Sequence, residues 1–255
     1  MAKKRLYILL GITMLTAGLV LLTNLDPALA DPIPGIDLQA LGTNNPNQVV
    51  DTVKILTLIT ILSLAPAVLI MVTSFTRIVI VLSFVRNALG TQQIPPNQIL
   101  IGLALLLTFF TMAPTYQTIK TDAINPYMAG QIGQTEAMDK GAGPLKDFML
   151  RQTRDKDLNL FIDMSSEARP ANREDLSLGV LVPAFIISEL KTAFEMGFYI
   201  FLPFLVIDIV VSSTLMSMGM FMISPIMISL PFKILLFVIS DGWYLVVKSL
   251  LESYH

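Results

Sequence analysis

Residues 201–225 read FLPFLVIDIVVSSTLMSMGMFMISP, an apolar stretch that contains one charged residue, Asp208. A helix needs roughly 20 predominantly apolar residues to cross the hydrocarbon core of a bilayer, and this stretch is long enough. Further apolar runs occupy residues 55–85 and 99–119, and residues 176–251 carry few charges. These runs predict an all-α integral membrane protein.

The composition supports this class and excludes others. Hydrophobic residues make up 54% of the 255 residues and charged residues 14%, so membrane lipid or partner subunits must cover apolar surface. The chain has no Cys and its one His is His255, which leaves no basis for disulfides, thiolate chemistry or a His-based metal site. The net charge of −2 gives no reason to expect nucleic-acid binding. We predict neither an enzyme nor a cofactor.

The first thirty residues have the pattern of a cleaved signal peptide. A basic start at residues 3–5 precedes an apolar run at residues 6–22, and Ala28 and Ala30 supply small residues at positions −3 and −1. We therefore predict cleavage between Ala30 and Asp31. The alternative is an uncleaved membrane anchor, because the apolar run is close to the length of a span.

The rest of the chain divides by composition into four segments. We predict a short tether, a first pair of membrane helices, a polar insert and a C-terminal membrane region, at residues 31–52, 53–119, 120–175 and 176–255. The last region has room for two full spans or for four shorter re-entrant pieces. With an external N-terminus, the positive-inside rule places the insert outside the cytoplasm, in the periplasm.

The polar insert holds half of the charged residues of the chain. Leu145, Phe148 and Met149 share one helix face, whereas Asp147 and Arg151 lie off it. A segment of this size buries little surface alone, so we expect it to lean on its neighbours. We predict a small helical extracytoplasmic insert and assign no functional site to it.

Prolines and charged residues interrupt the apolar runs. Each proline removes a backbone donor and tends to kink a helix, which predicts broken, proline-kinked helical hairpins. Charges at membrane depth are costly and need a partner or an aqueous path. The charges that we expect to be buried and used in assembly are Arg77, Glu189, Lys191, Asp208, Lys233 and Asp241.

These charges differ in what they require. Glu189 and Lys191 are two residues apart and cannot pair on a helix, whereas Lys191 and Glu195 have the spacing of a local bridge. Arg77 could instead reach an interface with its charged end. Asp208 has no basic residue within one helical turn, so it needs a partner from another segment or another subunit. We favour subunit contacts for Asp208 over an ion path.

The sequence also contains a methionine-rich segment, LMSMGMFMISP, at residues 215–225. Its methionines alternate, and this spacing places side chains on one side of an extended or irregular loop but scatters them around a helix. Methionine is unbranched and adapts to differing shapes. Composition alone favours the alternative that these are ordinary gap-filling apolar residues.

Several long motifs resemble one known family. They are MVTSFTRIVIVLSFVRNALGTQQIPP from residue 71, PAFIISELKTAFEMG from residue 183 and LPFKILLFVISDGW from residue 230. Together with residues 97–114 and 201–225 they resemble the FliP family of flagellar export-gate proteins, from about residue 53 onward. The resemblance implies the core of a type III protein export gate in the bacterial cytoplasmic (inner) membrane, at the flagellar basal body.

The resemblance further implies a ring, pentameric in the family, assembled with FliQ-type and FliR-type membrane proteins and other export-gate components. Unfolded flagellar subunits would be the cargo. A methionine-rich loop from each subunit would seal the closed pore, and the matching residues are Met218, Met220 and Met222, with Phe221 where family members often have another methionine. The nearest rival is the virulence type III secretion counterpart. A small ion or solute transporter is a more distant one.

Overall fold

The computed structural model of the protein describes residues 46–91, 93–165 and 172–254, which form helices joined by short connections. The α-helices are α1 Pro46–Val72, α2 Phe75–Leu89, α3 Asn97–Ile119, α4 Asn125–Met128, α5 Gln134–Gln152, α6 Asp155–Met164, α7 Leu178–Ser217, α8 Pro225–Ile239 and α9 Gly242–Glu252. A π-helical turn, Lys120–Ile124, joins α3 to α4, and a 3-10 turn, Arg173–Asp175, precedes α7. The predicted cleavage site at Ala28, Ala30 and Asp31 lies outside the described residues.

The chain divides into two units, Met1–Ser63 and Leu64–His255, and all contacts described below lie within the second. The described part of the first unit is the beginning of α1, which starts at Pro46. Helix α1 therefore begins within the predicted tether, and the division of the chain into four segments stays a prediction. Proline suits the first position of a helix, since the amide it lacks would have no partner there.

Two described helical segments are long and apolar enough to cross a membrane, Asn97–Met128 and Leu178–Ser217. The pair formed by α8 and α9 bends by 63° and makes a third candidate if both helices belong to one span. The prediction of a helical membrane protein is confirmed. The C-terminal region holds one helix of 40 residues followed by a bent pair.

Prolines mark some of the helix breaks but not all of them. The described chain stays helical through Pro66, Pro114, Pro183, Pro203 and Pro231, whereas Pro225 begins α8. Breaks lie at Thr73 and Ser74, between Leu89 and Asn97, in the loop at residues 218–224, and at Ser240 and Asp241. At the last break Asp241 has a φ of 50°, a left-handed conformation that ends one helix and starts the next.

The first of two apolar cores forms where α2 packs against α3 and α7. Ile78, Val81, Leu82 and Val85 of α2 are fully buried there. Their spacing of three and four residues gives α2 one continuous apolar face, as helical periodicity requires. Leu250 of α9 closes the same core.

The second core joins the polar insert to the first half of α7. Phe148 and Met149 of α5 are buried against Leu181 and Phe185 of α7, and Leu145 packs beside them. Asp147 and Arg151 are exposed, as the sequence indicates. The helices of the insert therefore lean on α7, which is the support that a segment of this size needs.

Phe84 of α2 packs directly against Gly197 of α7. A methyl group built on its Cα lies 2.5 Å from the Phe84 ring, where no real side chain fits. That ring also meets Phe194 and Phe201 edge to face, at centroid distances of 5.2 and 5.9 Å. The absence of a side chain at Gly197 therefore leaves room for the Phe84 ring between α2 and α7.

We predict that Gly197→Ala destabilises the protein by about 1–3 kcal/mol, because Phe84 must leave its position or the helices must separate. Thermal unfolding of the detergent-solubilised protein measures the effect. Gly102→Ala in α3 is the matched control, since nothing lies within 4 Å of the added methyl group and alanine favours helix. An equal transition temperature for the two variants would contradict this account of Gly197.

Candidate functional site

Arg77 and Glu189 form a buried ion pair between α2 and α7. Their exposed fractions are 2% and 0%. Arg77 Nε donates to Glu189 Oε2 at 3.0 Å, and Nη2 donates to Oε1, so the pair is bidentate. Two-point contact of this kind is the strong form of the guanidinium–carboxylate interaction. The suggestion that Arg77 reaches an interface is wrong.

Arg77 also donates hydrogen bonds to two further segments of the chain. Nη1 donates to the backbone oxygen and to Oγ of Ser253, both at 3.0 Å, and Nη2 donates to Gln152 Oε1 at 3.1 Å. The Tyr254 hydroxyl donates to Glu189 Oε2 at 2.9 Å and lies 3.1 Å from the Ser74 carbonyl. Burial and the neighbouring Glu189 carboxylate raise the pKa of Tyr254 well above its ordinary value, so its hydroxyl stays protonated and donates.

A second polar cluster, centred on Ser188, attaches the insert to α7. Ser188 directly precedes Glu189 in the chain. Ser188 Oγ, fully buried, donates to Asp157 Oδ2 at 2.6 Å and accepts the backbone N–H of Arg154 at 3.1 Å. Burial disfavours the charged form of Asp157, but the hydrogen bonds from Ser188 and Arg154 outweigh it, and the pKa of Asp157 lies below its ordinary value. Asp157 therefore holds the insert as a carboxylate.

Asp208 finds its partners within the same chain, on α8. Lys233 Nζ donates to Asp208 Oδ2 and Ser229 Oγ donates to Oδ1, each at 2.6 Å. Ser229 and Lys233 are buried, whereas 35% of the Asp208 side-chain surface is exposed. The sequence left open whether the partner of Asp208 comes from another segment or from another subunit. Another segment of the same chain supplies it.

The other two predicted charges are exposed in the single chain. Lys191 and Glu195 form the local bridge that their spacing indicates, with Nζ and Oε1 3.5 Å apart. Asp241 is exposed at the bend between α8 and α9. Lys191 and Asp241 can become buried only against a neighbouring subunit. Their burial in an assembly stays a prediction.

The methionine-rich segment becomes a loop at the tip of the α7–α8 hairpin. α7 ends at Ser217 and α8 begins at Pro225, so Met218, Met220, Phe221 and Met222 all lie between the helices. Phe221 is 78% exposed and Met222 is 99% exposed. Gly219 has a φ of 73°, which turns the chain away from α7. The loop presents apolar side chains that are exposed in the single chain.

An apolar groove runs along the α7–α8 hairpin, from the level of the Asp208–Lys233 pair towards the loop. It has a volume of about 470 Å³ and is lined by residues of α7 and α8, among them Val206, Thr214 and Phe232. The hairpin thus carries an apolar groove beside the ion pair that holds its two arms together. Among the described residues no cluster of His, Asp and Glu side chains is suited to a metal ion.

Sequence reasoning missed the uncharged members of these clusters. Ser188, Ser229 and Tyr254 are essential to the geometry, yet serine and tyrosine are common in helices and at their ends, and nothing distinguishes them by type. One signal was available for Ser229, since it lies four residues before Lys233 and therefore shares a helix face with it.

The chain has extensive similarity to known proteins. A model of the FliP family matches residues 58–250. The chain is 57% identical over 217 residues to flagellar biosynthetic protein FliP of Bacillus subtilis (strain 168), with 85% of this chain and 98% of that protein covered. It is 47% identical over 247 residues to flagellar biosynthetic protein FliP of Aquifex aeolicus (strain VF5), covering 96% and 98%. It is 48% identical over 229 residues to the protein of that name from Pectobacterium carotovorum subsp. carotovorum, covering 90% and 88%. These matches and the helical membrane architecture agree with the resemblance found in the motifs, and the chain belongs to the FliP family.

Proposed function

We propose that this chain is a pore-forming core subunit of the flagellar type III protein export gate and is needed for flagellum assembly. The observation that carries the proposal is the match of the FliP family over residues 58–250, together with relatives named as flagellar biosynthetic proteins. Those relatives favour the flagellar branch over the virulence counterpart. The proposed location is the bacterial cytoplasmic membrane at the flagellar basal body.

Assembly into a ring is part of the proposal. The helices α3, α7 and α8 leave large apolar side chains exposed, including Phe110, Phe194 and Phe232. Exposed apolar surface of this extent needs lipid or protein to cover it. A ring of several copies, with five as the expected number, together with FliQ-type and FliR-type membrane proteins would cover part of it.

The methionine-rich loop is the proposed seal of the closed pore. Met218, Met220, Phe221 and Met222 are exposed at the tip of a hairpin, where equivalent loops of a ring can converge. Thioether side chains are flexible and apolar, so a collar of them excludes small ions and still moulds around an unfolded polypeptide. Phe221 is bulkier and has fewer rotatable bonds, which makes this collar stiffer than one built of methionine alone.

Native mass spectrometry of the detergent-extracted chain, co-expressed with FliQ-type and FliR-type proteins, tests the function. We expect a complex with several copies of this chain, each lacking residues 1–30 because of cleavage between Ala30 and Asp31. A monomer that binds neither protein would contradict the export-gate function and favour a transporter. Copies that retain residues 1–30 would contradict signal cleavage alone.

We predict that Met220→Ala combined with Met222→Ala makes the resting complex leak small ions, because the collar loses side-chain volume on every subunit. Ion flux into vesicles that contain the purified complex measures the leak, with a several-fold increase expected. Met138→Ala with Met227→Ala is the matched control, since both methionines are exposed outside the loop. An intact complex with unchanged flux in the loop variant would rule out the seal.

We predict that Asp208→Leu lowers the yield of assembled complex, because Lys233 then remains buried without its counter-charge. The cost is about 2 kcal/mol, below that of a fully buried pair because Asp208 is partly exposed. Blue-native electrophoresis measures the yield, and Glu252→Leu, which removes an exposed acid, is the control.

The double variant Asp208→Leu with Lys233→Met separates charge from shape. It removes both charges and should recover part of the assembly lost in the single variant, since breaking one half of a pair costs more than replacing both. Normal assembly of Asp208→Leu combined with failed export would instead point to an ion path through Asp208.

A further inference from the structure

Tyr254 packs against both apolar cores, and it is the one residue in the described part of the chain that does so. Its ring stacks on Phe148 of the insert, with ring centroids 6.1 Å apart and planes inclined by 22°. The Arg77 guanidinium carbon lies 4.0 Å from the centre of the same ring. A single side chain therefore fills the junction between the insert and the α2–α7 pair.

Polar contacts reinforce the same junction. Arg77 donates to Ser253 and to Gln152, and Gln152 Nε2 reaches the Tyr254 backbone oxygen at 3.5 Å. Gln152 is the last residue of α5, so the contact fixes the end of the longer helix of the insert. Each of these bonds connects elements that are distant in sequence, and none is made within one helix.

We infer that Ser253 and Tyr254, the two residues that follow α9, form a latch that holds the insert on the rest of the protein. When the latch is in place, the position of α9 determines whether α5 can dock. The α2–α7 pair does not depend on the latch in the same way, because Ile78, Val81 and Leu82 are buried without contribution from the insert. Release of the latch therefore loosens α5 and α6 and leaves the α2–α7 pair closed.

The insert is also attached through Ser188, which donates to Asp157 and accepts the backbone N–H of Arg154. These bonds hold the start of α6, whereas the latch holds the end of α5. With the latch released, the insert stays tethered through Asp157 and gains freedom at α5. Movement of α9 is thereby transmitted to the insert. All contacts of the latch are made within one chain, so the inference does not depend on the proposed pore.

Hydrogen–deuterium exchange of the full-length protein in detergent tests the latch through the variant Tyr254→Ala. We expect amides of α5 to exchange about tenfold faster, as loss of one or two hydrogen bonds and a ring contact implies. Amides of α2 should keep their protection. Tyr244→Ala is the matched control, because Tyr244 is an exposed tyrosine of the neighbouring helix α9. It should leave exchange unchanged throughout.

Tyr254→Phe and Gln152→Ala make the test specific. Tyr254→Phe keeps the ring on Phe148 and Arg77 and loses only the hydroxyl bonds, so its effect on α5 should be smaller than that of Tyr254→Ala. Gln152→Ala should speed exchange in α5, and its combination with Tyr254→Ala should add less than the sum of the two.

Two results would overturn the latch. One is unchanged exchange of α5 in Tyr254→Ala, which would mean that the other contacts of the insert suffice. The other is loss of protection in α2 as well as α5, in Tyr254→Ala and Tyr254→Phe alike. In that case Tyr254 would be a general part of the core rather than the connection between its two halves.

Discussion

The buried ion pair between Arg77 and Glu189 is the constraint on which the rest of the structure depends. A guanidinium has five N–H donors and cannot lose its charge, so a buried arginine requires acceptors on every side. Glu189, Ser253 and Gln152 supply them from three different segments. Burial of Arg77 therefore forces α2, α5, α7 and the residues after α9 to meet at one point. A pair of this kind contributes little net stability, but it allows few arrangements of the chain around it.

The pair between Asp208 and Lys233 imposes a similar constraint at a different level of α7. It joins α7 to α8, and an apolar groove runs along the hairpin beside it. The charged residues thus hold the two arms together, while the tip of the hairpin carries exposed apolar side chains. The proposed seal, which must close against ions and open for a polypeptide, benefits from this division, because the arms hold position and the tip adapts.

The sequence was sufficient for the outline of this arrangement. Apolar runs predict the membrane helices, and helical spacing predicts that Phe148 and Met149 are buried while Asp147 is not. The need of Asp208 for a distant partner also follows from the sequence, since a lone carboxylate in an apolar run is costly. The identity of that partner does not follow, because Lys233 is far away in the chain and the hairpin alone brings the two together. The positions of two helix breaks do not follow from the sequence for a related reason. A proline costs one hydrogen bond, whereas the breaks at Ser74 and Asp241 depend on tertiary contacts and on a left-handed residue.

The motifs that carry the family resemblance coincide with the positions where packing leaves least choice. PAFIISELKTAFEMG contains Ser188, Glu189 and Gly197, each fixed by a buried bond or by close approach to a ring. LPFKILLFVISDGW contains Lys233 and Gly242, and a methyl group on Gly242 lies 2.2 Å from the Phe237 ring. At such positions only one residue type satisfies charge, hydrogen bonding and volume together. Segments of this kind therefore identify a family more reliably than the longer apolar runs around them, where many apolar residues fit equally well against lipid or a neighbouring subunit.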